Sequence, residues 1–209
     1  MILLINPTKK RRRSIQHTIG EAFVTNELFR EFGSIGERRP LVMRYMSVYV
    51  DFVLESKALY ATDDGAGFIG LQYSENAPVL PQIKMLCRLF TSLPFSKIRK
   101  MLRHIRQIAD TNKKYAEKPH IDILMAAVRK KAQGKGYATQ LVRFAQDMAA
   151  QKNVPLLADT DMKQYAEMYR HLGFRLYHRK TASNGVTRYN LVWIPAAYRS
   201  SASDSAQKG

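Results

Sequence analysis

The chain has 209 residues, of which 45% are hydrophobic, and this is enough for one domain with a sizeable core. It carries 34 lysines and arginines against 17 acidic residues, for a net charge of +17. Such an excess favours polyanionic partners and argues against a polycationic substrate, and a solvated basic surface without a partner accounts for it equally well. No stretch approaches the roughly 20 apolar residues that cross a bilayer. We therefore expect a cytoplasmic protein with no membrane partner.

The first residues include the run "KKRRR", Lys9–Arg13, which is typical of a solvated, disordered arm, although a nucleic-acid contact or a targeting role is also open. The apolar spacing after it predicts a helix that is capped by Ser14 and ends at Gly33. The Ser- and Ala-rich tail from 200 to 209 is predicted to be disordered. These limits leave residues 14–199 as a single domain.

The middle of the chain reads as helices around one hairpin. A helical pattern covers Leu41–Leu54, and two short apolar runs around "DDGAG" predict a strand, a turn and a strand. Helical spacing then extends from Gln82 to Lys114 with a break at "SLPFS". Arg99, Arg103 and Arg106 are predicted to face water beside an apolar stripe.

The single cysteine, Cys87, excludes an internal disulfide and a cysteine-rich metal site. It lies in the apolar helical pattern "IKMLCRLF", so we expect a buried thiol and not a nucleophile. The histidines at 17, 171 and 178 have no metal-ligand spacing, and we predict no metal site.

A strand, a glycine loop and a helix follow one another between His120 and Gln151. The run "HIDILMAAV", His120–Val128, predicts a strand buried on both faces, and a helical face begins at Tyr137. Glycines at 134 and 136, with lysines beside them, place flexible backbone and positive charge at a helix N-terminus. This combination suits a phosphate or diphosphate, and a plain turn accounts for it equally well.

The rest of the chain continues the alternation of strand and helix. "PLLADT", Pro155–Thr160, predicts a second buried strand, and "MKQYAEMYRHLG" predicts a helix that ends at Gly173. The segments "FRLYHRKTA" and "VTRYNLVWI" flank "SNG" as a hairpin.

Two motifs in these segments resemble those of the GNAT acetyltransferase superfamily. Gln133, Gly136 and Ala138 fill the specified positions of its Q/R-x-x-G-x-G/A motif, and "YRHLGF", Tyr169–Phe174, resembles its Y-x-x-x-G-F. The resemblance extends over about Lys57–Ile194 and is closest to the puromycin N-acetyltransferase-like branch. It implies an α+β fold, a mixed α/β sandwich whose mostly antiparallel sheet has splayed central parallel strands flanked by helices.

The resemblance also implies a reaction, the transfer of an acetyl group from acetyl-CoA to a primary amine in a ternary complex. Tyr169 matches the tyrosine that gives a proton to the leaving thiolate. The residues implied in acetyl-CoA binding are Ala126, Ala127, Val128, Gln133, Gly134, Lys135, Gly136, Tyr137 and Ala138.

The general base and the acceptor stay open in the sequence. Leu124 stands where many relatives carry a glutamate base, so the candidates are His120, Asp122, Asp159, Asp161 or a water molecule. The acceptor is predicted to be a small-molecule amine. The alternatives are a protein or peptide amine reached through the basic surface, or a basic binding module without activity. Nucleic acid as a partner and a dimer as the oligomeric state also remain open.

Overall fold

The computed structural model describes residues 1–76, 78–109, 115 and 118–198. Within these ranges, seven strands form one sheet in the order β1-β2-β3-β4-β5-β7-β6. The strands are β1 Ile2–Leu3, β2 Leu59–Ala61, β3 Gly67–Tyr73, β4 Ile121–Val128, β5 Leu156–Thr160, β6 Arg175–Thr181 and β7 Thr187–Trp193. β4 and β5 run parallel, and the other neighbours run antiparallel. The predicted mixed α+β fold is confirmed.

The helices lie on the two sides of this sheet. They are α1 Lys9–Phe23, α2 Ile35–Glu55, α3 Val79–Ser92, α4 Phe95–Ile108, α5 Tyr137–Lys152 and α6 Lys163–His171, with 3₁₀ turns at Glu27–Phe32, Ser74–Asn76 and Lys130–Ala132. Residues of α1 to α4 share one apolar core with Met125 and Ala127 of β4. Residues of α5 and α6 share a second core with Leu156 and Leu191. We call the two sides the α1–α4 face and the α5–α6 face.

The basic run near the N-terminus is helical and does not form the predicted disordered arm. The side chain of Thr8 accepts a hydrogen bond from the backbone N–H of Arg11, so the helix is capped six residues before Ser14. α1 then ends at Phe23, and the side chain of Asn26 starts a separate 3₁₀ turn. One long helix to Gly33 was therefore wrong, because local capping by Asn26 competes with continued helical spacing.

Helix α3 explains why the prediction of a buried Cys87 was wrong. α3 packs on α2 through a narrow strip in which Leu89 is its buried residue. Cys87 is exposed, and Leu80, Ile83 and Phe90 are 80%, 52% and 44% exposed. The apolar pattern was real, but it contacts no other described element over most of its width.

Two other predictions concern this half of the chain. Arg99, Arg103 and Arg106 on α4 are exposed, as predicted. The predicted helix end at Lys114 and the predicted disordered tail at 200–209 lie outside the described residues. No helix within the described ranges is both long and apolar enough to cross a bilayer.

Candidate functional site

An opening between β4 and β5 is the central feature of the sheet. The two strands pair only from Ile121 to Ile123 on β4, although β4 continues to Val128 and β5 to Thr160. Pairing stops at a bulge, because Gly70 of β3 pairs with Met125 while Leu71 pairs with Ile123. An extra residue bends a strand and increases its twist. The predicted splay of the two parallel strands is thus present, and it leaves unpaired backbone along both strand edges.

The bulge at Leu124 also changes the face to which β4 side chains point. Ile123 packs in the core under α5, whereas Met125 and Ala127 pack in the core of the α1–α4 face. Ala126 and Val128 lie half-buried on the α5–α6 face. β4 was predicted to be buried on both faces. It alternates instead between buried and half-buried residues, and half-buried residues lie on both faces.

The loop after β4 is held in a conformation that only glycine adopts without strain. Gly134 and Gly136 have φ values of 77° and 82°, and Gly136 is the N-cap of α5. A Cβ atom added to either glycine would meet nothing within 4 Å. The space over this loop is therefore open to a large group.

The same loop presents unpaired donors. Within the described part of the chain, the backbone N–H groups of residues 134–138 donate no hydrogen bond. They lie at the positive end of the α5 dipole, with exposed Lys130, Lys131 and Lys135 nearby in sequence. Free N–H groups at a helix N-terminus next to lysines form a site for a phosphate or diphosphate.

Two side chains fix the loop to the sheet. The hydroxyl of Tyr137 donates to Asp64 in the turn between β2 and β3, with an O–O distance of 2.5 Å. Asp64 also accepts from the Thr62 hydroxyl at 2.6 Å, and these bonds lower the pKa of Asp64 to about 2. The side-chain amide of Gln133 reaches back to the carbonyl of Val128 at 3.4 Å. Gln133 and Tyr137 thus shape the loop from its two ends.

On the α1–α4 face, Arg188 of β7 holds Asp159 of β5 and Asp161, the residue that follows β5. Its Nε and Nη2 donate to the two carboxylate oxygens of Asp161, each at 2.8 Å, and its Nη1 lies 2.5 Å from Oδ2 of Asp159. The Asp161 side chain is 4% exposed and the Asp159 side chain is 41% exposed. Asp161 is therefore fully engaged, while Asp159 keeps an oxygen accessible.

The surroundings of Asp159 favour its protonated form. Removal from bulk solvent raises the pKa of Asp159, the charges of Asp161 and Asp122 raise it further, and Arg188 opposes them. Asp159 lies on β5 beside Arg188 of β7 and close enough to Tyr49 of α2 for its charge to act on that hydroxyl. We call this region the Asp159 cleft.

Tyrosines line the Asp159 cleft. Tyr45 and Tyr49 of α2 are half-buried, their rings stack with centroids 6.3 Å apart, and desolvation raises the pKa of both hydroxyls. The nearby charge of Asp159 adds to the upward shift at Tyr49. The Tyr49 hydroxyl lies 3.5 Å from the carbonyl oxygen of Leu124, at the bulge. The cleft therefore reaches the point where β4 and β5 separate.

His120 and Asp122 form a pair at the start of β4. His120 Nε2 lies 3.3 Å from the Asp122 carboxylate, and Nδ1 lies 2.7 Å from the carbonyl oxygen of Lys118. The hydrogen bond to Asp122 raises the pKa of His120, against the opposing effect of burial. With an acceptor at each ring nitrogen, the imidazolium form is favoured, and an imidazolium cannot act as a base.

Tyr169 lies on the other side of the opening, in α6. Its side chain is 6% exposed and packs edge-on against Phe174 with ring centroids 5.1 Å apart. Burial raises the pKa of Tyr169, and the charge of Asp159 adds to the shift. The phenol therefore stays protonated at neutral pH, and its hydroxyl donates to no other group among the described residues.

The structure sorts the residues that the sequence singled out. The implied donor-binding residues gather at the end of β4 and the start of α5, except that the side chain of Ala127 points into the opposite core. Among the four base candidates, Asp159 has the most exposed side chain, at 41%, and its surroundings raise the pKa of Asp159. Sequence reasoning missed Arg188. Alternation in "VTRYNLVW" puts Arg188 on the α1–α4 face, but only the strand register reveals its partners.

The described ranges contain no group of three or more histidine, cysteine, aspartate or glutamate side chains that could hold a metal ion. The site combines the anion-binding loop, the strand opening, the tyrosines and Asp159.

Comparisons with known proteins agree with this geometry. The family model described as an acetyltransferase (GNAT) domain matches residues 100–176. The structure is similar to arylalkylamine N-acetyltransferase 2 from Aedes aegypti, with a TM-score of 0.54, 17% identity, and coverage of 89% of this chain and 95% of that one. It is also similar to an N-acetyltransferase from Staphylococcus aureus Mu50, with a TM-score of 0.53, 16% identity, and coverage of 88% and 96%.

A third similar structure is the Corynebacterium glutamicum protein described as histone acetyltransferase HPA2 and related acetyltransferase. Its TM-score is 0.57 at 12% identity, and coverage is 90% of this chain and 93% of that one. At these identities the three structures establish the fold alone. No curated protein sequence matches the chain. The family match identifies a GNAT acetyltransferase domain within residues 100–176, and the solved structures show the same fold over most of the chain.

Proposed function

We propose that this protein moves an acetyl group from acetyl-CoA to the primary amine of a small molecule, by direct transfer in a ternary complex. One observation carries the proposal. The opening between β4 and β5 has an anion-binding loop at the end of β4 and an accessible aspartate on the α1–α4 face. A donor and an acceptor that approach from these two directions would meet in the opening.

The donor side suits coenzyme A. The backbone N–H groups from Gly134 to Ala138 would bind its diphosphate, and the nearby lysines would add attraction. The unpaired edge of β4 from Ala126 to Val128 offers backbone donors and acceptors to the amide groups of the pantetheine arm. When bound, acetyl-CoA supplies an acetyl group on a good leaving group.

The acceptor side suits an amine that arrives as an ammonium ion. Asp159 is placed to take a proton from it, since the upward shift of its pKa makes the carboxylate a stronger base. The faces of Tyr45 and Tyr49 favour a cation before that proton leaves. The amine then has a free electron pair for attack on the acetyl carbonyl.

Tyr169 completes the proton transfers. As the carbon–sulfur bond breaks, the Tyr169 hydroxyl gives its proton to the thiolate, and the tyrosinate recovers a proton from the newly bonded nitrogen. The proton taken by Asp159 is released to solvent. No covalent acetyl-protein step is needed, and the one cysteine of the chain lies exposed on α3.

Contacts around the β6–β7 turn support a small acceptor over a peptide. Arg30 donates to the carbonyl of Asn184 and the Asn184 side chain donates to Glu31, each at 2.9 Å. The N–H of Ser183 donates to Gln107 of α4 at 2.7 Å. These bonds tie the turn to the α1–α4 face, and a turn held in this way would leave less room for an extended peptide than a free one.

The test is acetyl transfer with a panel of acceptors. Purified protein and acetyl-CoA are mixed with small primary amines or with peptides that carry a free N-terminus. Thiol release and acceptor mass are then measured. We expect release of free thiol and an acetylated product with a small amine, and background rates with peptides. Faster acetylation of peptides would contradict the small acceptor. Coenzyme A binding without transfer to any amine would favour the binding module.

A further inference from the structure

Asn190 is a buried amide that lacks partners. It lies on β7 and is 1% exposed, yet neither Nδ2 nor Oδ1 hydrogen-bonds to any described residue. Burying a polar group without a partner is costly, and such groups in native structures are rare. A state of the protein in which both atoms are paired would therefore be favoured.

The strand register shows what lies opposite this amide. Asn190 pairs with Asp159 on β5 and with His178 on β6, so the three side chains share one face of the sheet. Nδ1 of His178 is also buried without a described partner. Arg188, two residues before Asn190, points to the same face and holds the carboxylate of Asp159.

We propose that Asn190 is the positioning residue that receives Asp159 after Asp159 has taken the proton of the acceptor. In the charged state, Asp159 pairs with Arg188, as the structure shows. In the neutral state, its new O–H donates to Oδ1 of Asn190, and Nδ2–H of Asn190 donates to its carbonyl oxygen. This inference rests on the proposed function, because it assumes that Asp159 is the base.

The chemistry of the two partners fits the two states. A guanidinium has donors only and suits a carboxylate, whereas a primary amide has one donor side and one acceptor side and suits a carboxylic acid. The only bond changes are the loss of an N–H bond by the ammonium and the gain of an O–H bond by Asp159. After Asp159 turns away, Arg188 keeps both of its hydrogen bonds to Asp161.

Charged and titratable groups approach Asp159 from every neighbouring element. Arg188 favours the carboxylate, and Asp122 and Asp161 favour the acid. The tyrosines stay protonated at neutral pH, since the pKa of each is raised. Within the described ranges these groups are Asp122 on β4, Asp161 directly after β5, Tyr177 and His178 on β6, Arg188 on β7, Tyr45 and Tyr49 on α2, and Tyr169 on α6.

The first experiment follows the titration of Asp159 through the ¹³C shift of its carboxyl carbon, which is identified by its absence in Asp159→Asn. Asn190→Leu removes the amide at similar volume and should lower the pKa of Asp159. An effect of the added apolar surface alone would raise it. A pKa that is unchanged or raised in Asn190→Leu overturns the inference.

Controls keep this result interpretable. Gln146→Met removes another buried amide, one that donates to the carbonyl of Leu172 on the α5–α6 face, and should leave the titration unchanged. If Asn190→Leu fails to fold, Asn190→Val is the substitute, because valine is smaller than leucine and is favoured in strands. It should shift the pKa of Asp159 in the same direction.

Turnover separates the two proposals. Asn190→Leu should move the acidic limb of the kcat/KM profile to lower pH and reduce the plateau about five- to tenfold, the effect of one lost hydrogen bond. An unchanged profile in Asn190→Leu, with Asp159→Asn inactive, would contradict the role of Asn190 and leave Asp159 as the base. An Asp159→Asn variant as active as the wild type would instead contradict the proposed function.

Discussion

Two arginine–aspartate clusters on the α1–α4 face differ in how much of the hydrogen-bonding capacity of their aspartates is used. Asp51 of α2 has a side chain that is 6% exposed and accepts from Arg12 at 2.5 Å, Gln16 at 2.6 Å and Arg88 at 2.8 Å. These donors come from α1 and α3, so the carboxylate joins three helices. It has no accessible oxygen with which to bind anything else.

The cluster around Arg188 is organised differently. Arg188 uses two donors on Asp161 and one on Asp159, and 41% of the Asp159 side chain remains exposed. A filled carboxylate stabilises the fold, whereas one with an accessible oxygen and an upward-shifted pKa can exchange a proton with a ligand. The comparison teaches that access and unfilled hydrogen-bonding capacity separate a reactive aspartate from a structural one.

The largest expected effect comes from a substitution that blocks binding of acetyl-CoA and leaves the Asp51 cluster unchanged. Gly136→Val adds a β-branched side chain at a φ of 82° and fills the open space over the loop. We expect coenzyme A affinity, measured by titration calorimetry, to fall by more than about 100-fold. Gly173→Val is the matched control, because it places the same strain at a φ of 88° at the end of α6. Equal losses of coenzyme A affinity in both variants would show that backbone strain, and not steric blockage of the loop, weakens binding.

The next effect concerns Tyr169 of α6. Tyr169→Phe keeps the ring against Phe174 and removes the proton donor, so turnover should fall by about 10²–10⁴ while coenzyme A still binds. Tyr60→Phe, at a half-buried tyrosine packed on Phe144, should leave turnover unchanged. Unchanged turnover in Tyr169→Phe would remove this residue from the mechanism.

Substitutions in the Asp51 cluster should lower the stability of the protein and leave the rate of acetyl transfer unchanged. Asp51→Asn weakens the charge-assisted hydrogen bonds from Arg12, Gln16 and Arg88, and we expect the free energy of unfolding to drop by about 2–3 kcal/mol in urea titrations. Glu55→Gln removes only more exposed ion pairs with Arg12 and Lys84 and should cost about 1 kcal/mol or less. A large loss of turnover per folded Asp51→Asn molecule would break the distinction between the clusters.

The smallest effect depends on pH. The Asp122 hydrogen bond raises the pKa of His120 above its unfolded value. The stability that this pair contributes is thus fully present below the unfolded pKa, and it is lost as pH rises through the folded pKa. His120→Gln should destabilise the protein more at pH 5 than at pH 8 in thermal unfolding. An equal or larger loss at pH 8 would contradict the imidazolium form.

The elements around the loop could be predicted from the sequence because their signals are local. The apolar run before Arg129, the two glycines and the periodicity after Tyr137 each act within a few residues. The same holds for the β6–β7 hairpin, where "SNG" separates two alternating runs.

The chemistry of the cleft depends on contacts that are distant in sequence. The bulge at Leu124 follows from its register with β3, and Arg188 meets Asp159 and Asp161 only because β7 pairs with β5. Four base candidates were equivalent in the sequence, and they became distinct once burial and partners were known. The predictions of a buried Cys87 and of a disordered arm at Lys9–Arg13 were wrong for a related reason. Packing against neighbouring elements decides whether a side chain is exposed, and capping residues decide where a helix begins.

Turnover of Asp159→Asn at saturating acetyl-CoA, with coenzyme A affinity measured on the same sample, tests the central claim most directly. The substitution keeps the shape of the side chain and removes its ability to take a proton. We predict that kcat falls by about 10²–10⁴ while coenzyme A affinity stays at the wild-type value. Turnover within about twofold of the wild type would contradict the assignment of the base.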